Sequence, residues 1–482
     1  MGIGRFRQSH TAFACGFGSL VMGLVNTWPS YTAEILYSNT TTPLSAPITE
    51  GEEALLGSLP SLGAMIGSAV AGLLMNNLGR RNGGVLLTLP VLVSWAIVSI
   101  ASSINLVLAA RFLAGFSGGG ALVLAPIFTS EVAEDSIRGL LASAPIFLYC
   151  GGTVVSYLIG WCMTYQTIIW FNLVMSVTAT ILLVLVTESP VYLLRQNREE
   201  DAKLAMAKYR GVPVSSMTVL DEISKLRQQI MPSVELVAVT ESDPKPEEAE
   251  KEKLNLDEIE PEKPQKTSSF KLLFLQPSSR QAFIVVLAVI TMQVFMGMVP
   301  VQVYAKTVFR QTDPSQADIY TILFAVILFL GSAVSAVVTD KAGRRILIIS
   351  SSALVFVSML TLGYLLQSKS APPLVTVLMI FAYCFSFMLG AGSIPYVLLA
   401  EVFIPEVQNL ASIIIIEWVW FLNFFTIAVF PFMNSTFGIH GSFYFFAAMS
   451  IANAVLAYII VPETKGLSNT QIQDMFLSRK KN

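Results

Sequence analysis

The chain has 482 residues, 54% of them hydrophobic and 13% charged, with a formal net charge of −2. Soluble domains carry about 25% charged residues. Half that level, with a mean hydropathy of +0.65, excludes an ordinary water-soluble globule and a basic nucleic-acid binder, and makes lipid the expected solvent.

Twelve apolar runs follow one another, at 11–31, 54–76, 84–104, 107–129, 139–163, 165–187, 280–305, 317–339, 345–366, 373–400, 408–433 and 440–461. Each has roughly the 20 residues that a helix needs to cross a bilayer core of about 30 Å. Only helices and closed barrels satisfy every backbone group there, and runs this long are helices. The expected fold is therefore all-α and integral to the membrane. The first run follows a basic start, but it is long and lacks a small-residue cleavage pattern before Glu34, so it reads as an uncleaved helix. Lysines and arginines cluster in alternate loops, and residues 8–79 contain none. The positive-inside rule then puts both termini in the cytoplasm.

Residues 188–279 interrupt the pattern. Their first part has apolar residues at helical spacing among charges and predicts short surface helices. Residues 241–266 are almost wholly charged or polar, and predict a disordered tether. The chain thus divides into a six-helix bundle over 1–187, a cytoplasmic loop over 188–279, a second bundle over 280–461 and a cytoplasmic tail over 462–482.

The two bundles repeat the same punctuation. "LGRR" follows the second run and "AGRR" the eighth; "SEVAEDSIRG" closes the fourth and "AEVFIPEVQN" the tenth; "TESP" ends the sixth and "PETKG" the twelfth. A six-plus-six parallel repeat is the plan of transporters whose halves rock about a site near the membrane midplane. Paired arginines after a glycine give a tight turn with fixed charge, and carboxylates at neighbouring helix ends are their natural partners. Arg80, Arg81, Glu131, Arg138, Asp340, Arg344, Arg345 and Glu401 are therefore expected to latch the cytoplasmic side shut. Gln408 stands where the second half should mirror Arg138, which predicts a weaker latch there.

Small residues at 61–72 and 117–121 predict close helix packing. The cysteines at 15, 150, 162 and 384 lie in or beside apolar runs and read as unpaired packing residues. Asn39 and Asn434 begin N-x-Ser/Thr sequons in expected outer loops and are candidate glycan acceptors. No nucleophile-base pair, phosphate loop or metal-spaced ligand set occurs, so neither an enzyme nor a cofactor or metal is expected.

In order along the chain, "LGRRNG", "RFLAGFSGGG", "SEVAEDSIRG", "ESPVYLL", "DKAGRR", "IPYVLLAEVF" and "VPETKG" resemble the sugar porter family of the major facilitator superfamily, with a texture similar to the facilitated trehalose and glucose transporters. The resemblance implies twelve helices around a central cavity that moves an uncharged sugar by alternating access in the plasma membrane, in a protein that works as a monomer. Position by position it implies sugar contacts from Gln293, Phe387, Trp420 and Asn423, with Tyr396 where the family has Trp, and a Gly/Pro-broken tenth helix at 390–395. Five family amides are replaced by Ile146, Val294, Val299, Leu328 and Val419. Val25 replaces the first-helix Asp of proton-linked members, which favours facilitated diffusion. Arg111 matches a family arginine expected to pin helices together. Glu417, an acid deep in the eleventh run, is a further candidate for binding solute or carrying a proton. Two alternatives stay open: a proton-coupled symporter using Glu417, and a non-transporting sugar sensor of the same fold.

Overall fold

The computed structural model describes residues 2–230, 269–467 and 469–478, and every regular element in them is helical. The segment expected to be a tether, 241–266, lies outside the described residues.

The first half contains α1 (Ile3–Tyr37), α2 (Glu50–Leu78), α3 (Arg80–Ile100), α4 (Ile104–Val132), α5 (Asp135–Cys162) and α6 (Tyr165–Val184). Three short helices follow, α7 (Pro190–Arg195), α8 (Glu199–Arg210) and α9 (Met217–Ile230), joined by their own small core around Leu193, Ala202, Met206 and Ile223. The second half runs through α10 (Ser269–Leu275), α11 (Pro277–Phe295), α12 (Met298–Val303), α13 (Ala305–Thr312), α14 (Ala317–Ala342), α15 (Arg344–Ser368), α16 (Pro373–Leu389), α17 (Ile394–Glu401), α18 (Pro405–Ile460) and α19 (Asn469–Ser478). Among the described residues, 11 helical stretches are long and apolar enough to cross a membrane. The last of them holds two crossings, divided at Gly438, whose φ of 70° and ψ of 162° break the helix. Twelve crossings result. Below, the base is the end carrying both chain termini and α7–α9; the opposite end is the far face.

Small residues let the helices touch. Gly115 and Gly119 of α4 lie on the backbone of Pro60 and Ala64 in α2, and Gly63 and Gly67 of α2 lie on Phe112 and Phe116. A Cβ at any of the four would overlap main chain, so the stripe is there for packing. Cys15, Cys150 and Cys384 are buried and free as packing residues, whereas Cys162, at the end of α5, is exposed.

Two helices of the second half are broken at membrane depth, and each break is braced by the other. The α11–α12 break falls at Gly297, with φ +82°, and Tyr383 of α16 donates to the freed Met296 carbonyl at 3.1 Å. The α16–α17 break falls at 390–393, and Gln293 of α11 donates to the Gly392 carbonyl at 2.9 Å. Ser351 accepts from the Ala391 N–H at 2.7 Å. Broken helices persist in lipid only when side chains re-satisfy such groups.

The halves are joined toward the far face. Glu34 pairs with Arg310, and Ser30 Oγ accepts from the Lys306 N–H at 2.9 Å. Tyr157 donates to the Gln302 carbonyl. Nearer the middle, Ser68 of α2 donates to Glu417 of α18 at 2.7 Å.

Candidate functional site

At the base the repeated Gly-Arg-Arg turns are built alike. Gly79 and Gly343 both have φ near +90°, at 94° and 90°, a region that side chains rarely enter. A carboxylate lies over each glycine. Glu188 accepts the N–H groups of Arg80 at 2.9 Å and Arg81 at 3.2 Å, and Glu463 those of Arg344 at 2.9 Å and Arg345 at 3.2 Å. The glutamates of "TESP" and "PETKG" thus cap the N-termini of α3 and α15, satisfying orphan donors and favouring the positive end of each helix dipole.

The first arginine of each pair then reaches the carboxylate at the base of the neighbouring helix. Arg80 grips Glu131 with Nη2–Oε1 at 2.7 Å and Nε–Oε2 at 2.9 Å, while its Nη1 donates to the Met75 carbonyl at 3.0 Å. Ser189 donates to the same carboxylate. Arg344 reaches Glu401 through one oxygen, Nη2–Oε1 at 2.7 Å and Nε–Oε1 at 3.2 Å, and Thr464 donates to the other at 2.7 Å.

Two of the expected pairs, Arg80 with Glu131 and Arg344 with Glu401, are formed. In both pairs the acid belongs to the same half as its arginine, because the turn and the partner helix end are adjacent within one bundle. The clusters therefore stiffen each half internally.

The remaining base residues have separate positions. Arg138 is exposed and donates to the Ala133 carbonyl at 3.3 Å. Arg345 donates to the Tyr458 carbonyl at 2.6 Å and lies over the Tyr458 ring. Arg81 lines a base pocket of about 350 Å³ with Glu188, Tyr192, Arg198 and Asp201. The side chain of Asp340 lies outside the described residues. Tyr209 of α8, buried against α1, donates to the Thr187 carbonyl, and burial pushes its phenol well above the ordinary value.

In the membrane interior, the resemblance-derived positions gather on the second half. Gln293 and Asn423 are buried, and the carbonyl oxygens Gln293 Oε1 and Asn423 Oδ1 have no donor among the described residues. Phe387 is buried beside Tyr383, Trp420 is half-buried, and Tyr396 of α17 is 39% exposed. Gln293's amide nitrogen is already committed to the α16–α17 break, so only its oxygen is left for a solute.

In the first half Ile146 of α5 is 58% exposed, and one turn further along α5 a polar cluster crosses the seam between the halves. Asn26 donates to Tyr149 Oη at 3.2 Å. Gln302 donates to Tyr149 Oη at 3.3 Å and to Thr153 Oγ1 at 3.2 Å. None of these four was among the sequence candidates. The signal available was weak: isolated amides and a tyrosine inside apolar runs.

Arg111 of α4 is buried. It donates through Nε to the Leu56 carbonyl at 3.0 Å and through Nη1 to the Val25 carbonyl at 2.7 Å, and its guanidinium lies 5.3 Å from the Trp28 ring centroid. Asn39 is exposed in a turn beyond α1. Asn434, expected in a loop, is instead helical and half-buried, with its Oδ1 accepting from Ser442 at 2.6 Å, because α18 continues to Gly438 before it breaks.

Two six-helix halves, joined toward the far face and meeting along a seam of polar and aromatic side chains, define a multi-pass membrane protein with the plan of a two-bundle transporter. The comparisons carry this further. Residues 6–476 match the family profile "Sugar (and other) transporter", and the chain belongs to that family. The facilitated trehalose transporter Tret1-2 homolog of Drosophila sechellia is 26% identical over 98% of this chain and 92% of its own length. Tret1-1 of the same species is 25% identical over 98% of this chain but 52% of its own length, so this chain spans about half of that relative. The partially occluded inward-open xylose transporter XylE from E. coli superposes with a TM-score of 0.74 at 20% identity, covering 96% of this chain and 99% of its own.

Proposed function

We propose that the protein is a facilitative sugar transporter of the plasma membrane, working by alternating access on trehalose or a hexose, with its base in the cytoplasm. Gln293, Phe387, Tyr396, Trp420 and Asn423 are its sugar contacts, the aromatic rings facing C–H surface and the amide oxygens accepting from hydroxyls. Buried acceptors without donors suit a ligand rich in O–H groups. The base clusters hold each half rigid, so that the halves rock as bodies around the seam. Glycosylation, where it occurs, falls on Asn39.

The observation that carries the facilitative mode is the setting of Arg111. Its partners are two backbone carbonyls and an indole face, and Val25 offers no carboxylate to take a proton beside it. Liposomes holding the purified protein should take up labelled trehalose or glucose equally with and without a pH gradient. Uptake that needs the gradient would exclude the uniporter. Val25→Asp, which puts a titratable acid against Arg111, is expected to make uptake pH-dependent.

One observation favours proton coupling as a second reading: among the described residues, Glu417 meets the other half through the hydrogen bond from Ser68. From Ala54 to Leu78 α2 has no charged side chain, α11 has only Arg280, near its base end, and α18 has only Glu406 besides Glu417 below Gly438. Glu417→Gln separates the readings, since a uniporter keeps the wild-type pH profile and a symporter using Glu417 loses it.

A further inference from the structure

The positions emptied of amides are backed, one helical turn toward the far face, by polar side chains that the family resemblance does not point to. Tyr149 follows Ile146 by three residues on α5, and Gln302 follows Val299 by three on α12. Residues so spaced share a helix face, and the step along the axis is about 4.5 Å. Recognition chemistry has therefore been lost at one level of the cavity and is present at the next.

The hydrogen bonds leave that level half-used. Tyr149 Oη accepts from both Asn26 and Gln302, which fills its lone pairs and frees its own O–H to donate. The Thr153 hydroxyl accepts from Gln302 and donates to the Tyr149 carbonyl at 3.2 Å, so its proton is spent. Gln302 Oε1 and Asn26 Oδ1 are acceptors that take no part in these bonds. One donor and two acceptors on a rigid, cross-braced cluster match neighbouring hydroxyls, each of which both donates and accepts. Because Asn26 and Tyr149 belong to the first half and Gln302 to the second, the cluster lies on the seam between the halves.

We propose that Asn26, Tyr149 and Gln302 form a second sugar subsite above Gln293, Trp420 and Asn423, and that the cavity is built for an uncharged disaccharide of two linked rings rather than a single hexose. The proposal rests on the sugar-transporter reading above. It makes Tyr149 and Gln302 the residues that set ring number: the lower level holds either ligand, and the upper level rewards only the longer one.

The test is a ratio. Wild type, Tyr149→Phe and Gln302→Met, in liposomes, are assayed for labelled trehalose and labelled glucose, and KM(trehalose)/KM(glucose) is compared. Tyr149→Phe removes one oxygen, and Gln302→Met keeps the volume, so both are mild. A rise of threefold or more in either variant is expected. A ratio within threefold of wild type in both variants, or a wild type that carries glucose but no disaccharide, overturns the subsite. Because Tyr149 and Gln302 also join the halves, a purely gating role would change Vmax for both sugars and leave the ratio alone, which counts against the proposal. Wild-type protein that moves neither sugar sinks the transporter reading instead. In that event, or if a variant does not transport, thermal stabilisation of the purified proteins by trehalose over glucose decides the subsite, its loss in the variants being the supporting result.

Discussion

The two base clusters are copies that have diverged. Arg80 and Glu131 have side-chain exposures of 4% and 12%, and Arg344 and Glu401 of 12% and 28%. The first pair is gripped through both carboxylate oxygens and the second through one. Buried ion pairs owe their strength to geometry that repays desolvation, and breaking one leaves an uncompensated charge. Exposed pairs are screened and weaker. The first half is accordingly the stiffer body at the base.

The largest expected effect follows from that difference. Arg80→Gln strands Glu131 and should cost about 3–5 kcal/mol, whereas Arg344→Gln should cost roughly 1–2 kcal/mol because water reaches its partner. Thermal unfolding of both variants in one detergent measures this, and equal losses would break the comparison. Next come the turns: Gly79→Ala and Gly343→Ala each force a side chain into positive φ, costing about 1–3 kcal/mol, with a further penalty where the new methyl meets Glu188 or Glu463. Here the halves should respond alike.

Gln408→Arg sharpens the comparison from the weak side. Gln408 donates to the Ala400 carbonyl at 3.0 Å, in the manner of Arg138 on Ala133, and restoring the cation should raise stability by up to about 1 kcal/mol. The smallest effect is expected at α8, where Lys203 holds the Glu199 carboxyl below its ordinary value, by hydrogen bond first and by charge second. A depressed carboxyl contributes stability above its unfolded pKa and loses it as pH falls through the folded one. Glu199→Gln should therefore lower the melting temperature slightly at pH 7 and not at pH 3. A larger shift than that of Arg344→Gln would upset the ranking of buried over exposed pairs.

Much of the fold was legible because lipid leaves few options. A run of about 20 apolar residues is a crossing helix, and Gly63, Gly67, Gly115 and Gly119 had to face other helices because only contact makes so many glycines tolerable. The base arginines were legible as charges at helix ends. Which half each would meet was not, since that depends on how six helices close on themselves. Asn434 was misplaced because turn chemistry could not show that α18 runs on to Gly438. Tyr149 and Gln302 went unseen for a different reason: a lone polar group in an apolar run states a need for a partner without naming one, and their partner is supplied by the opposite half.

The mutual bracing of the two broken helices has a consequence for motion. Straightening at Gly297 would pull the Met296 carbonyl away from Tyr383, and shifting 390–393 would pull Gly392 away from Gln293. The two bends are thus geared together, and neither can shift without loosening a bond that braces the other.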